Sequence, residues 1–551
     1  MSRSYFPVLA PRTEAMTTRD GTRLVADIWQ PEGAGPFPVL MMRQAYGRHI
    51  GTSLCYAPPE WYAAHGYIVV IQDVRGRGDS GGTFDLFENE ATDGADAVTW
   101  AANLPGSNGR VGMFGFSFQG TNQLLAAGQH CPALRALAPA MLGWNLREDW
   151  AYENGAFALR ANIGWATQLA AETARLAGDD DAQATLFAAS RALDFSGPRP
   201  AWPRHEALLA RYSHYARWRD TPPGDSYWDR ISPSACLEDI AATAPATLLI
   251  GGWFDSHLPG TLTAYHALAP HVPARIIIGP WTHFPWDRRI GSLDFGPEAV
   301  TNIDQQQIAW FDHWLKDDPA VTPLSGANLF DMGANCWREF PSFPSESKAF
   351  SLYGSGRSAI SMADGGLGET VPPGSVIATE SVTLDTWRPA GPCGGTFGLP
   401  GGPVDRAQTD ARSDTLTFTT EAFATPHLLA GAVRLEAEIA TSMLSYDLHA
   451  VLSRVTEKGA AYPLAEGYAT LEPGHVTVPM RATCCTLQPG ERLRLSLSPA
   501  CFPCFPVNPG TGAQPWEASL ADQNIMTLRL SRANSRLHLP MQPVASDPGK
   551  E

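Results

Sequence analysis

A chain of 551 residues is too long for one hydrophobic core and points to two to four domains, and 44% hydrophobic with only 17% charged residues excludes a disordered chain. The net charge of −16 argues against a nucleic-acid partner, which needs clustered Lys and Arg. The N-terminal MSRSYFPVLAPRTEAM has no apolar core of signal-peptide length and no run of about 18 apolar residues follows, so no membrane span is expected.

The first third alternates strand and helix patterns. Pro38–Met42 is a short apolar strand, and Gly66–Asp73 is another whose centre is apolar throughout, as a strand covered on both faces would be. Glu90–Leu104 reads as a helix, Val111–Gly115 as a strand, Thr121–Gln129 as a helix and Leu134–Ala138 as a strand. That rhythm predicts an α/β domain with a parallel sheet, residues 1–143. From 144 to 235 the chain is rich in Ala, Leu and Arg without a clear strand, which predicts an inserted helical cap. The rhythm resumes over 236–322 with the strands Ala246–Ile250 and Arg275–Gly279 and an amphipathic helix over Val300–Leu315. Over 323–551, short alternating runs such as Val433–Ile439 and Arg492–Ser498 sit between Gly/Pro-rich turns, the pattern of an all-β sandwich.

The stretch Gly115-Phe-Ser117-Phe-Gln-Gly120 joins a strand directly to a helix. A nucleophilic serine needs exposure, a base, and donors for the developing oxyanion. A sharp strand-to-helix turn lifts Ser117 out of the sheet edge, and the two glycines remove side chains that would clash there. The helix aims its N–H groups and positive dipole end at the serine, and the N–H of Phe118 becomes an oxyanion donor. This is the nucleophile elbow of α/β-hydrolases, with one residue more than the commoner G-x-S-x-G spacing.

That fold expects an acid and then a histidine, each just after a strand. Leu248–Asp255 is a strand ending in a carboxylate, and Ile276–His283 is a strand ending in a histidine. Asp255 is assigned to hold the imidazole and His283 to take the Ser117 proton and return it to the leaving group. His257, His266 and His271 lack the strand-end placement. Tyr46 follows an early strand, where a second oxyanion donor usually sits, and its hydroxyl can donate. A buried aromatic without a role is the alternative.

These residues resemble the cocaine esterase-like CocE/NonD hydrolases, related to X-prolyl dipeptidyl peptidases and α-amino-acid ester hydrolases. The similarity runs through Asp73–Phe84, Asp93–Asp96, Asn108–Gly115, Gly251–Asp255, Gly279–His283 and Cys501–Gly512, nearly the whole chain. It implies Ser117, Asp255 and His283 as the triad, Tyr46 and the Phe118 N–H as the oxyanion hole, a helical cap, and a C-terminal jelly roll packed against the site. The expectation is an α/β-hydrolase fold acting on a small-molecule ester or amide, with no metal and no cofactor. A homo-oligomer stays open, since relatives are often dimers or larger. Relatives acting on free α-amino groups carry clustered carboxylates near the triad. Here the residues after Asp255 are Ser-His-Leu-Pro-Gly, and Asp149 and Glu153 in the cap are read as solvated, so an α-amino-acyl substrate is disfavoured. Trp144, Trp150, Trp165 and Phe254 are candidates to line an apolar acyl pocket, with core packing as the alternative.

Two other readings compete. Gly76-Arg-Gly-Asp-Ser-Gly81 matches a dinucleotide fingerprint, but Thr-Phe-Asp-Leu-Phe intervenes before any helix, where the pyrophosphate would need a helix N-terminus. A jelly roll can also serve as a non-catalytic binding module, though fold alone does not assign function. The nine scattered cysteines read as buried thiols of a reducing compartment, hence a cytoplasmic location, and Cys501-Phe-Pro-Cys504 lacks the second pair or His that would complete a zinc site.

Overall fold

The first architectural unit is a ten-stranded sheet whose central strands are apolar on both faces because helices cover both. The computed structural model describes residues 5–284, 286–316, 325–375 and 379–544. Strands β1 (Arg12–Thr17), β2 (Arg23–Trp29), β3 (Phe37–Gln44), β4 (Ile68–Asp73), β5 (Ser107–Phe116) and β6 (Leu134–Ala140) lie in the order β1-β2-β4-β3-β5-β6. Ala246–Phe254, Ala274–Thr282, Gly326–Asp331 and Cys336–Phe340 continue the sheet in chain order. From β4 to Gly326–Asp331 neighbouring strands are parallel. Every residue of β3, β4 and Ala246–Phe254 is buried, which explains their unbroken apolar runs. Among the helices flanking this sheet are α1 (Pro59–Ala64), α2 (Glu90–Ala102) and α3 (Phe118–Ala127). Ile303–Lys316 buries Ile303, Trp310, Phe311 and Leu315 in the same core.

Both edges of this sheet are antiparallel, which the sequence reading did not anticipate. β1 is an edge strand whose mostly polar residues alternate between half-buried and exposed. Gly326–Phe340 pairs with the ten-stranded sheet rather than with the C-terminal domain, so the sheet continues past 322. The expected boundary itself, at 322–323, lies outside the described residues.

The insertion between β6 and Ala246–Phe254 is largely helical, led by α4 (Leu159–Leu176), with Asp180–Arg191, Glu206–Tyr212, Tyr215–Asp220 and Ser226–Ile231 behind it. It also holds a π-helical turn at Arg147–Ala151 and a hairpin, Tyr152–Glu153 with Ala156–Phe157, where no strand was expected. The hairpin tip docks on the β domain: Asn154 Nδ2 donates to the Tyr468 carbonyl at 3.0 Å, and the Thr470 amide donates to the Asn154 carbonyl at 3.2 Å.

The C-terminal domain is all-β, built on one eleven-stranded sheet. The sheet curls until its two ends, Ala461–Leu471 and Gly474–Leu487, lie against each other around an apolar core that is continuous with that of the first sheet.

Candidate active site

Three parallel strands deliver the three residues expected to do chemistry. Ser117 follows β5, Asp255 follows Phe254 at the end of its strand, and His283 follows Thr282 at the end of the next. All three leave the carboxyl ends of the strands, where α/β sheets form their crevice. Ser117 Oγ lies 3.0 Å from His283 Nε2, and His283 Nδ1 lies 2.7 Å from Asp255 Oδ1. The His283 side chain is 30% exposed while Asp255 is fully buried, so the imidazole meets the cavity and the carboxylate does not. Burial alone would raise the Asp255 carboxyl. The charge and hydrogen bond of His283 outweigh it and hold the group below the usual aspartate value.

Ser117 has φ +60° and ψ −123°, a conformation that L residues adopt only where the surroundings enforce it. Its amide donates to the Ala140 carbonyl at 2.8 Å, and its own carbonyl accepts from Gly120 and Thr121. A Cβ on Gly115 would stand 2.5 Å from the Gln119 Cβ, and one on Gly120 2.6 Å from the Ala140 oxygen, so the turn closes only with glycine at both positions. Helix α3 begins at Phe118, three residues earlier than expected. The Phe118 N–H is therefore the first of the helix, with no carbonyl one turn back to receive it. The Gln119 side chain braces the bend, accepting from the Phe116 amide at 3.2 Å and donating to Gln44 at 3.4 Å.

Tyr46 lies two residues past β3, and β3 pairs in parallel with β5, so the tyrosine emerges beside the elbow. Its hydroxyl accepts from Trp165 Nε1 at 3.0 Å, which leaves its own proton to donate. Burial pushes the phenol up to about 12, against the opposing Trp165 hydrogen bond and Arg77 charge, so it stays protonated.

Ser117, His283 and Tyr46 open on a cavity of about 340 Å³. Trp150 and Trp165 line it as expected, stacked on each other with ring centres 4.9 Å apart. Trp144 and Phe254 do not. Both are buried in the core of the main sheet, Phe254 because it is still a strand residue and Trp144 because it follows β6 closely.

Asp149 and Glu153 are not solvated either. Both face the cavity. Glu153 forms a two-pronged ion pair with Arg481 of the β domain at 2.7 and 2.8 Å, across 328 residues of sequence. Asp149 Oδ2 accepts from the amides of Trp144 at 3.2 Å and Asn145 at 2.7 Å. Burial, opposed by those bonds, raises its carboxyl to about 6.

The β domain also contributes Thr396, Phe397, Cys504 and Phe505 to the wall. Buried Glu466 fixes that loop by accepting from the amides of Thr396 and Phe397, and His449 lies 3.0 Å from its other oxygen. Cys501 and Cys504 are buried free thiols; the hydrogen bond to Cys504 and burial push the Cys501 thiol well up. Among the described residues no three His, Cys, Asp or Glu side chains cluster as metal ligands, and no helix is long and apolar enough to cross a membrane. The glycine-rich loop opens no helix before Glu90. It folds over buried Asp73, which accepts from the Arg48 side chain at 2.7 Å and the Asp79 amide at 3.2 Å.

His257 was passed over in the sequence for want of strand-end placement, yet it lines the cavity, with its ring centre 4.1 Å from Trp150 and 5.0 Å from His283. Burial pushes its pKa down to about 4, against the pull of Asp255. Burial and the Arg77 charge push His214 down to about 3. Both histidines titrate near 6.5 when unfolded. As pH falls from there toward 4 the unfolded chain gains protons that the folded chain refuses, and stability drops by about 1.4 kcal/mol per histidine per pH unit. His214→Phe keeps the ring against Trp165 and Trp218. Denaturant titrations between pH 7 and 4.5 should therefore show a shallower acid loss in this variant, and an unchanged slope would mean that His214 is charged in the fold.

Residues 20–285 match the family model of the X-Pro dipeptidyl-peptidase (S15 family), and residues 319–538 match that of the X-Pro dipeptidyl-peptidase C-terminal non-catalytic domain. The chain is 29% identical to a cocaine esterase of Rhodococcus sp. (strain MB1 Bresler) over 531 residues, 90% of this chain and 91% of that protein. Its fold is similar to that of an α-amino acid ester hydrolase, with a TM-score of 0.79 at 21% identity over 98% of both chains. It is also similar to that of a CocE/NonD family hydrolase from Staphylococcus aureus, with a TM-score of 0.67 at 15% identity over 96% of this chain and 93% of that one.

Proposed function

We propose that this serine hydrolase, whose residues 20–285 and 319–538 match the X-Pro dipeptidyl-peptidase models, cleaves carboxylic esters of small molecules through an acyl-enzyme on Ser117. The observation that carries this reading is the unbroken series Ser117–His283–Asp255, at 3.0 and 2.7 Å, opening on an aromatic cavity.

Ser117 Oγ attacks the ester carbonyl as His283 Nε2 takes its proton. Asp255 holds Nδ1–H, fixes the tautomer and stabilises the imidazolium. The carbonyl oxygen becomes an oxyanion between the Tyr46 hydroxyl and the Phe118 N–H. The carbon–oxygen bond to the alcohol breaks, and the alcohol leaves with the proton from His283. Water, deprotonated by His283, attacks the acyl carbon, and Ser117 departs with the proton restored. The acyl group lies between Trp150 and Trp165 of the cap and Phe397 of the β domain, so the C-terminal domain shapes the site rather than acting as a separate binding module.

An amide of a free α-amino acid is the second reading, favoured by the Asp149 carboxyl at the cavity wall. Against it, both Glu153 oxygens are taken by Arg481. A matched panel of p-nitrophenyl esters and p-nitroanilides, with and without a free α-amine, decides between them. Esters of unsubstituted aromatic and aliphatic acids should lead, with kcat/KM at least tenfold above the α-amino anilides. The reverse order would replace the ester reading with the amide one.

A further inference from the structure

Arg77, in the glycine-rich loop after β4, has no part in the chemistry above, yet its side chain is buried to 1% exposure. Among the described residues no carboxylate lies within ion-pair distance of it, its Nη2 donates to the Leu169 carbonyl of α4 at 3.4 Å, and its Nε and Nη1 have no hydrogen-bond partner. Glu172, the carboxylate whose charge it feels, is held by Arg175 through two bonds of 2.8 Å. A buried cation with one long hydrogen bond destabilises a fold, and an apolar side chain of similar volume would pack there at lower cost.

The surroundings suggest what the charge is for. The guanidinium carbon lies 3.8 Å from the centre of the Phe84 ring, and the Phe84 ring is 6.3 Å from that of Phe118, whose N–H is the other donor proposed for the oxyanion. Leu169 lies one turn beyond Trp165 on α4, and Trp165 is the donor to the Tyr46 oxygen. Arg77 is thus pinned to the helix that holds Tyr46 and stacked on the aromatic behind Phe118. Its charge also pulls against the burial that raises the Tyr46 phenol.

We propose that Trp165 and Arg77 are positioning residues for Tyr46. Trp165 occupies a lone pair of the phenol oxygen so that its proton turns to the cavity, and the unpaired Arg77 cation strengthens that O–H as a donor to the oxyanion. This rests on the reading of Tyr46 as an oxyanion donor. It also predicts that stability is given up for rate at residue 77.

The test is steady-state kinetics on a p-nitrophenyl ester with Tyr46→Phe, Trp165→Phe, Arg77→Met and Arg77→Lys, and with the Trp165 and Arg77 changes repeated in the Tyr46→Phe background. Tyr46→Phe should lower kcat by about 10²–10³, and Trp165→Phe and Arg77→Met by about tenfold each, a part of what the whole donor supplies. KM should stay within about twofold for Arg77→Met, Arg77→Lys should keep most of the activity, and Arg77→Met should melt no lower than the wild type. In the Tyr46→Phe background the Arg77 and Trp165 changes should lower kcat by no more than about twofold, because what they support is gone, while the place of Trp165 in the pocket wall shows in KM.

A Tyr46→Phe enzyme as fast as the wild type would remove the donor reading and this proposal with it. A slow Tyr46→Phe enzyme, beside Arg77→Met and Trp165→Phe at wild-type rates, would overturn the proposal and leave the donor reading in place. A full tenfold loss for either change in the Tyr46→Phe background would overturn it as well. If Arg77→Met does not fold, the expectation that it melts no lower than the wild type is refuted and the Arg77 part of the proposal with it, and the Trp165 cycle still decides the hydrogen bond.

Discussion

Ser117→Ala is expected to leave a folded protein whose kcat on a p-nitrophenyl ester is about 10⁶-fold below the wild type. The size follows from the division of labour at the site. His283 and Asp255 act only through the Ser117 proton, so without the hydroxyl the base has nothing to activate and the covalent route closes. What survives is the cavity and the oxyanion donors, which can still favour attack by water. The fold should survive because the elbow is held by backbone. The Ser117 amide and carbonyl carry the hydrogen bonds to Ala140, Gly120 and Thr121, and alanine preserves all of them. Circular dichroism and the thermal midpoint check the fold, and single-turnover kinetics check the rate. A variant keeping a hundredth or more of the wild-type rate would place the nucleophile elsewhere.

Asp255→Asn is expected to lower kcat by about 10⁴ with little change in KM. The carboxylate accepts the Nδ1 proton at 2.7 Å in a fully buried position and is held ionised there by His283. An asparagine that turns its amide N–H toward Nδ1 forces the proton onto Nε2, the nitrogen that must accept from Ser117. The ring is then in place but in the wrong tautomer. Its positive charge in the transition state also loses the adjacent anion. Because the substitution touches nothing in the cavity, substrate binding should hold while turnover collapses. A loss smaller than tenfold would show that His283 works without Asp255.

The placement of Ser117, Asp255 and His283 was legible because the fold ties each of them to a strand end, and strand ends are visible as apolar runs that stop. Leu248–Asp255 and Ile276–His283 each run from uninterrupted apolar residues into a polar one, and the elbow carries its glycines in the open. The antiparallel edges were illegible for the opposite reason. β1 alternates in burial but carries polar residues, and Gly326–Phe340 lies among the turn-rich segments of the β domain although it pairs with the other sheet. Trp144 and Phe254 show the limit of residue type as a guide to a pocket. All four aromatics were plausible walls, and only packing separates the two buried in the core of the main sheet from Trp150 and Trp165 at the cavity. Glu153 was misread because its partner, Arg481, lies 328 residues away, beyond any local pattern. The resemblance implied a β domain packed against the site, but the same distance hid which of its residues, Phe397 and Phe505 among them, line the cavity.

The central claim is that Ser117 is the nucleophile. The most direct measurement is the intact mass of the protein after treatment with a fluorophosphonate, on the wild type and on Ser117→Ala. One adduct is expected on the wild type, mapping to the peptide that carries Ser117, and none on the variant. Equal labelling of both proteins, or no labelling of a correctly folded wild type, would contradict it.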